Sequence, residues 1–450
     1  MFELIVENFL LSLENFTLNK NIVFNVLSKF MKKEINVTSK KQLEKLYYVV
    51  VYHENFILDY CRENEHLFMK WQIGLDYRQE FSINGYSLDI LKSAVQKYIR
   101  RGEAERAIYF CNELLLFRYF TIKNFNYEEN KGYYRYSKGI LTNTIHRLLV
   151  TLLEDISILN GYDFYVMVYK KFKIILSIIE MIDDDYSNIN FYMKLLIRHT
   201  LEYIVMLCKS RKSRIGDHLG YYYRTIGKRG LFLLKHMNGV EINIKNTPLK
   251  LFDCEQCVAQ KCVIMYNYIL KRDIRCVAYA FDILREFSLA FPDKRKIVKR
   301  GNSREYDNLV FYIIDIAISH MLFTPKILDK VKYILKISVL YFNILKKQKE
   351  SWLSWVMLLL YVINFENCNN VTNKVYSEAN VDYENILYLN LSGKKKTVDD
   401  YIIDRHTYQG KVNGKNMRDF VIEGSKVNNE IVSDVLLDFK DKYNKIFLRK

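Results

Sequence analysis

Proline and glycine are scarce in this chain, with only 3 and 16 among 450 residues, so it has little of what interrupts regular structure. Long helices joined by short loops follow. A sandwich or barrel needs a turn signal every ~8–12 residues, and a doubly wound sheet needs strands alternating with helices across glycine loops. Neither pattern is present. The reading is an all-α, multi-helical fold with mostly antiparallel helix packing and a basic C-terminal extension.

Long apolar runs are missing too. The richest, Trp352 to Phe365, is about 14 residues against the ~20 that cross a bilayer. Asp315 and His320 interrupt the run from Leu309 to Phe323. Met1 to Leu13 is apolar but carries Glu3 and Glu7, and it lacks a basic leader or small-residue cleavage site. These features lead to an expectation of a soluble, intracellular protein with no membrane partner, its 8 cysteines reduced.

Motifs of the common catalytic classes are absent. No GxxxxGK[ST] phosphate loop occurs, nor GxSxG, HExxH, GxGxxG or a kinase catalytic loop. Glu154-Asp155 and Asp183-Asp184-Asp185 are acidic pairs, but general acid/base work needs two carboxylates in one pocket, which adjacency does not provide. Asp183 to Asp185 reads as a helix-end turn. His146, His199, His320 and His406 have no partner assignable from sequence. The expectation is a protein with no catalytic residue and no cofactor. Cys254, Cys257, Cys262 and Cys276 are the one metal-like cluster, but the second CxxC pair of a zinc site is missing and the spacing suits a buried helical stripe. They are read as core cysteines, with no metal.

What the chain does have is charge and aromatics. Lys and Arg exceed Asp and Glu by 17, and there are 36 Tyr and 27 Phe. An AT-rich coding sequence accounts for part of the Lys, Asn, Ile, Tyr and Phe content. The basic balance points to phosphate, in nucleic acid or anionic lipid.

Hydrophobic spacing divides the chain into an N-terminal helical region at 1–85, a helical module at 86–240, a second helical region at 241–363, and a linker with a charged, glycine-spaced tail at 364–450. The break at Lys209 to Arg229 holds Lys209, Arg211, Lys212, Arg214, Arg224, Lys228 and Arg229 around Tyr221, Tyr222 and Tyr223, punctuated by glycines. Cations there would neutralise phosphates while an aromatic face stacks an unpaired base, unless the segment is a loop anchored to the core by its tyrosines. The second basic run, Asp404 to Gly424, contains Arg405, His406, Lys411, Lys415 and Arg418, with Gly410-Lys411 and Gly414-Lys415 as paired steps. Glycines let a backbone approach phosphate, unless the run is a surface loop clipped onto the body by Phe420.

From Ser87 to Tyr109 the chain reads Ser-Leu-Asp-Ile-Leu-Lys-Ser-Ala-Val-Gln-Lys97-Tyr-Ile-Arg-Arg101-Gly102-Glu103, then Arg106-Ala-Ile-Tyr109. This resembles the helix pair in the C-terminal part of the MgsA/RarA replication-associated recombination AAA+ ATPases. Asn143 to Ile156 is similar to that family's next element, with Ser157 where glycine is common. The likeness covers Tyr86 to Asn160. It implies a helical oligomerisation module without the ATPase motor, similar to stand-alone versions from large DNA viruses, which would place it in host cytoplasm, nucleus or virion. Leu91, Val95 and Ile99, four apart on one helix face, are the oligomerisation candidates. Gly102 is expected to end that helix.

Two functions follow as expectations. One is a non-enzymatic, nucleic-acid-associated accessory protein of DNA replication or recombination, homo-oligomeric or bound to a partner protein, with DNA favoured over RNA. The alternative is a structural or assembly protein of a viral particle or polymerase complex, binding partners through helical faces.

Overall fold

In a computed structural model, the described residues are 81–124, 131–184, 189–228, 248–249, 256–290, 304–345, 348–369, 383–393, 395–428 and scattered positions from 430 to 437. Every regular element among them is a helix, and the all-α expectation holds. The only β-like pairings there are two isolated bridges, Phe81 with Ser87 and Ile156 with Lys212.

The helices are α1 (Leu88–Arg101), α2 (Ala104–Asn124), α3 (Lys131–Asp155), α4 (Gly161–Asp184), α5 (Ile189–Lys209), α6 (Ile215–Lys228), α7 (Gln256–Leu270), α8 (Cys276–Ala290), α9 (Arg304–His320), α10 (Pro325–Ile344), α11 (Gln348–Ile363), α12 (Phe365–Asn369), α13 (Tyr383–Leu391), α14 (Tyr408–Val412) and α15 (Met417–Asp419). They form two compact units that cut across the linear blocks expected from sequence. Of the described residues, the first unit takes 81–148, 168–209 and 383–426; the second takes 149–167, 210–369 and those from 427 onward.

In the first unit α1 and α2 make a tight antiparallel hairpin. Gly102 closes α1 in the left-handed conformation (φ 77°), its N–H bonding to Ile99 O and the Glu103 N–H to Tyr98 O. This double bond satisfies carbonyls that the helix end leaves open. Leu91, Val95 and Ile99 are fully buried, because α1 packs on both α2 and α5 within the unit. They are therefore core residues rather than an oligomerisation face; their spacing marks a buried stripe, which sequence cannot distinguish from a stripe that meets another copy.

The tail is the larger departure. Instead of a separate extension after a linker, 383–426 belongs to the first unit: α13 packs on α2, and the stretch 395–426 lies against α1 and α2. The Asn-rich linker expected from Asn364 begins instead as part of the second unit, where Asn364 is buried, donates to Leu360 O and accepts from Ser433 Oγ, and α12 follows at once.

The second unit contains α11, on which every residue from Ser351 to Ile363 is buried. A helix apolar all round needs cover on all sides, and α6, α8, α9 and α10 each pack against it. No helix among the described residues is long and apolar enough to cross a membrane. The basic break at 209–229 folds largely as α6. Two of its glycines serve helix packing, since a Cβ on Gly216 would sit 2.7 Å from Met357 Sδ and one on Gly220 would sit 2.0 Å from Trp352 Cη2. Sequence alone reads such glycines as loop punctuation because the partner helix is more than a hundred residues away.

Candidate functional site

The Gln96 to Arg106 stretch and the 395–426 segment, far apart in sequence, meet as two halves of one polar clasp. Lys97 Nζ lies 2.7 Å from Asp404 Oδ2, and both side chains are buried. The same ammonium donates to Tyr401 O at 2.6 Å and Ile402 O at 3.1 Å. Arg100 donates to Gly424 O, and Arg101 to Glu423 O at 2.7 Å, while the Arg101 guanidinium lies 3.6 Å over the Tyr401 ring. Arg106 pairs with Asp399, which also accepts from Tyr98 Oη at 2.9 Å. Tyr401 Oη donates to Glu103 at 3.0 Å, and Asp89 accepts the Tyr408 N–H at 2.5 Å.

Burial pushes Lys97 down to about 8, against the opposing pull of Asp404. Burial also works to raise Asp404, but the His406 and Lys97 hydrogen bonds outweigh it and hold the carboxyl well below its usual range. Asp89 and Asp399 are likewise lowered by their hydrogen bonds despite partial burial. Burial pushes Tyr98 up to about 12, with Asp399 adding to it. The clasp is thus built from ionised carboxylates, cations and neutral phenols, an arrangement that positions a segment.

Within that segment, Asp404-x-His-Thr407-x-x-Gly410 has a local explanation. Asp404 accepts the His406 N–H at 2.8 Å; Thr407 Oγ1 donates to Asp404 O at 2.8 Å and accepts the Gly410 N–H at 3.1 Å, capping α14. A Cβ on Gly410 would fall 1.8 Å from Asp404 O, and one on Gly424 would fall 3.2 Å from Asp404 Oδ2. Gly410 therefore permits a close approach of backbone to the Asp404 carbonyl, where the sequence suggested approach to phosphate. Gly414 is left-handed (φ 72°) with open space around it.

The predicted nucleic-acid residues separate into distinct groups. Arg214, 2% exposed, pairs with Asp155 (3.3 Å) and Asp217, and Lys212, 4% exposed, donates to Ser210 O at 2.6 Å. These two are structural cations of the second unit and are withdrawn as phosphate contacts: a sequence run of cations does not reveal that a buried carboxylate from α3 waits for one of them. Arg211 is half-buried, with its backbone bonded to Asn160 and Ser157. Lys209 is half-buried at the end of α5. Tyr221 and Tyr222 are half-buried on α6 rather than in a loop. Tyr223, Arg224 and Lys228 continue that helix, with side chains outside the described set, and Arg229 lies outside the described residues.

The second basic run is at the surface. Lys411 and His406 are exposed, Arg405 is half-buried, and Tyr408 is 77% exposed, with Lys411 one helical turn after it. Arg405 and Lys411 form no ion pair among the described residues. Lys415 is paired with Glu423 at 3.0 Å, and Arg418 is exposed beside the Asn416–Asp419 capping box. His406 packs edge-on against Phe420 at 4.8 Å. Val412 and Ile422 are exposed as well.

Of the cysteine cluster, Cys262 and Cys276 are buried and in no disulfide, burial pushing Cys276 up; Cys254 lies outside the described residues, as does the Cys257 side chain. Among the described residues no group of three or more His, Cys, Asp or Glu is placed to hold a metal ion. Sequence reasoning missed Asp399, Tyr401 and the pairing of Lys97 with Asp404. The periodic spacing of Lys97, Arg100 and Arg101 along α1 was the signal that they act together. Comparison with known protein families, curated proteins and solved structures finds no match.

Proposed function

We propose that the chain is a non-enzymatic nucleic-acid-binding accessory protein of DNA replication or recombination, and that the outer side of the clasp segment is a contact surface. The observation that carries this reading is Tyr408, 77% exposed, flanked in sequence by Arg405 and Lys411, neither of them in an ion pair among the described residues. Cations without a carboxylate partner keep their charge for phosphate, and an exposed aromatic face stacks an unpaired base. The net charge of +17 supports it, since attraction to a polyanion then acts at long range. The likeness of the Ser87 to Tyr109 stretch to replication-associated ATPases favours DNA.

The test is a titration of single-stranded DNA, duplex DNA and RNA at several salt concentrations. Arg405→Gln with Lys411→Gln is expected to weaken binding of every sequence alike and to flatten the salt dependence by roughly 0.7–0.9 log unit per lost contact. Unchanged affinity and slope would remove this surface from the reading.

A partner-protein or assembly role draws on a separate observation, the exposed apolar side chains of Val412 and Ile422 on the same segment. It predicts that Val412→Ser with Ile422→Ser alters self-association or partner capture while leaving the salt slope of any nucleic-acid binding unchanged.

A further inference from the structure

Three cations of the clasp have a carboxylate beside them: Lys97 has Asp404, Arg106 has Asp399, and Lys415 has Glu423. Lys395 and Lys396 are held in another way. Lys395 Nζ lies 4.9 Å from the centroid of the Tyr86 ring and donates to Gly85 O at 3.4 Å, and Lys396 Nζ lies 5.0 Å from the centroid of the Tyr109 ring. Both rings are buried and fixed. Tyr86 meets Tyr109 edge-on at 6.3 Å and Phe110 at 5.1 Å, and its hydroxyl donates to Lys396 O at 2.5 Å.

The manner of holding decides what the charge can do. A carboxylate neutralises an ammonium, whereas a tyrosine face attracts it through the ring quadrupole and leaves its full charge in place. Burial pushes the Tyr109 hydroxyl up to about 12, and that of Tyr86 upward too, so both rings stay neutral. Neither lysine makes an ion pair among the described residues; partial burial lowers Lys396 from its ordinary value, and through space Glu105, at the start of α2, raises it while Arg106 lowers it. Lys395 is exposed and Lys396 half-buried, on a segment without regular structure. Two cations on adjacent residues, each held over a tyrosine ring and neither in an ion pair among the described residues, thus lie on the first unit.

We propose that Lys395 and Lys396 form a clamp for the backbone phosphates of a nucleic acid, a site distinct in sequence from Arg405 and Lys411. The assignment rests on the nucleic-acid reading above and adds to it the ligand chemistry, phosphodiester rather than base edge. Tyr86 and Tyr109 act as positioning residues. Fixing the lysines beforehand reduces the side-chain entropy lost when phosphate binds. Because the clamp reads charge alone, it is indifferent to base sequence.

The experiment compares wild type, Lys395→Gln with Lys396→Gln, Lys395→Arg with Lys396→Arg, and Arg405→Gln with Lys411→Gln. Each is titrated with fluorescent mixed-sequence single-stranded DNA, duplex DNA and RNA across a salt series, and with vesicles of phosphatidylserine in phosphatidylcholine. The glutamine pair at 395 and 396 is expected to weaken nucleic-acid binding for all sequences alike and to lower the salt slope by roughly 0.7–0.9 per lost contact, while the arginine pair retains both. Wild-type binding that is unchanged in the 395/396 glutamine variant but weakened in the 405/411 variant overturns the clamp and leaves the function standing. No wild-type binding to any nucleic acid at low salt removes both. Vesicle binding lost in the 395/396 variant without nucleic-acid binding assigns the lysines to a lipid surface and overturns the proposal.

Discussion

Lys97 and Asp404 form a buried ion pair, Nζ to Oδ2 2.7 Å, that joins α1 to the stretch following α13. The ammonium also bonds two carbonyls of the same stretch, and the carboxylate accepts the His406 N–H. Removing either member leaves the other charge buried without its partner, which typically costs about 3–5 kcal/mol. Lys97→Met and Asp404→Leu are each expected to destabilise strongly and to expose the 395–426 segment to proteolysis. The double substitution is expected to lose less than the two single losses combined, because it leaves no orphaned charge. Denaturant unfolding of the four proteins in a mutant cycle checks this.

Three glycines separate close packing from mere turn formation. Gly410→Ala would press a methyl group on Asp404 O, so an overpacking loss of about 1–3 kcal/mol or more is expected, with loosening of the clasp. Gly414→Ala meets nothing within 4 Å and carries only the left-handed backbone penalty, about 1–2 kcal/mol. Gly139→Ala, in α3 with open space around it, should instead stabilise by about 0.5–1 kcal/mol through helix propensity. Thermal or denaturant melts that rank the three otherwise would contradict the packing described here.

Acid should release the clasp. Asp89, Asp399 and Asp404 are each held below the usual carboxyl value of 3.8, so the folded state favours their ionised forms. Their contribution is fully present above that value and is lost progressively as pH falls below it and through their lowered folded-state values. Glu202, lowered to about 2 by His199, Lys171 and Arg198 against the upward push of burial, adds a loss of the same sign below pH 4.5. Glu113, raised by burial, works in the opposite sense. Unfolding free energies measured from pH 6 down to about 2 should fall, and fall less steeply in Asp404→Asn than in wild type.

Arg214 distinguishes a structural cation from a phosphate ligand. With its side chain buried between Asp155 and Asp217, Arg214→Gln is expected to reduce stability by about 3–5 kcal/mol through the orphaned Asp155 charge. The salt slope of nucleic-acid binding by the protein that remains folded should not change. A flattened slope with stability intact would return Arg214 to the surface group.

The helical class of this protein was determined by local terms that sequence displays directly: too few prolines and glycines for a sheet protein, and apolar spacing of three and four. The end of α1 at Gly102 was legible for the same reason, since a left-handed cap acts on neighbouring residues. The roles of the cations were decided only in three dimensions. Lys97, Arg214 and Lys411 are alike in sequence as members of basic runs, yet the first meets Asp404, the second meets Asp155, and the third meets no carboxylate among the described residues. Gly216, Gly220 and Gly410 likewise read as loop residues until Met357, Trp352 and Asp404 are brought against them. Charge and conformational freedom belong to a residue, but whether a charge is neutralised or a missing side chain is filled depends on contacts with distant parts of the chain, and these exist only once the helices have packed.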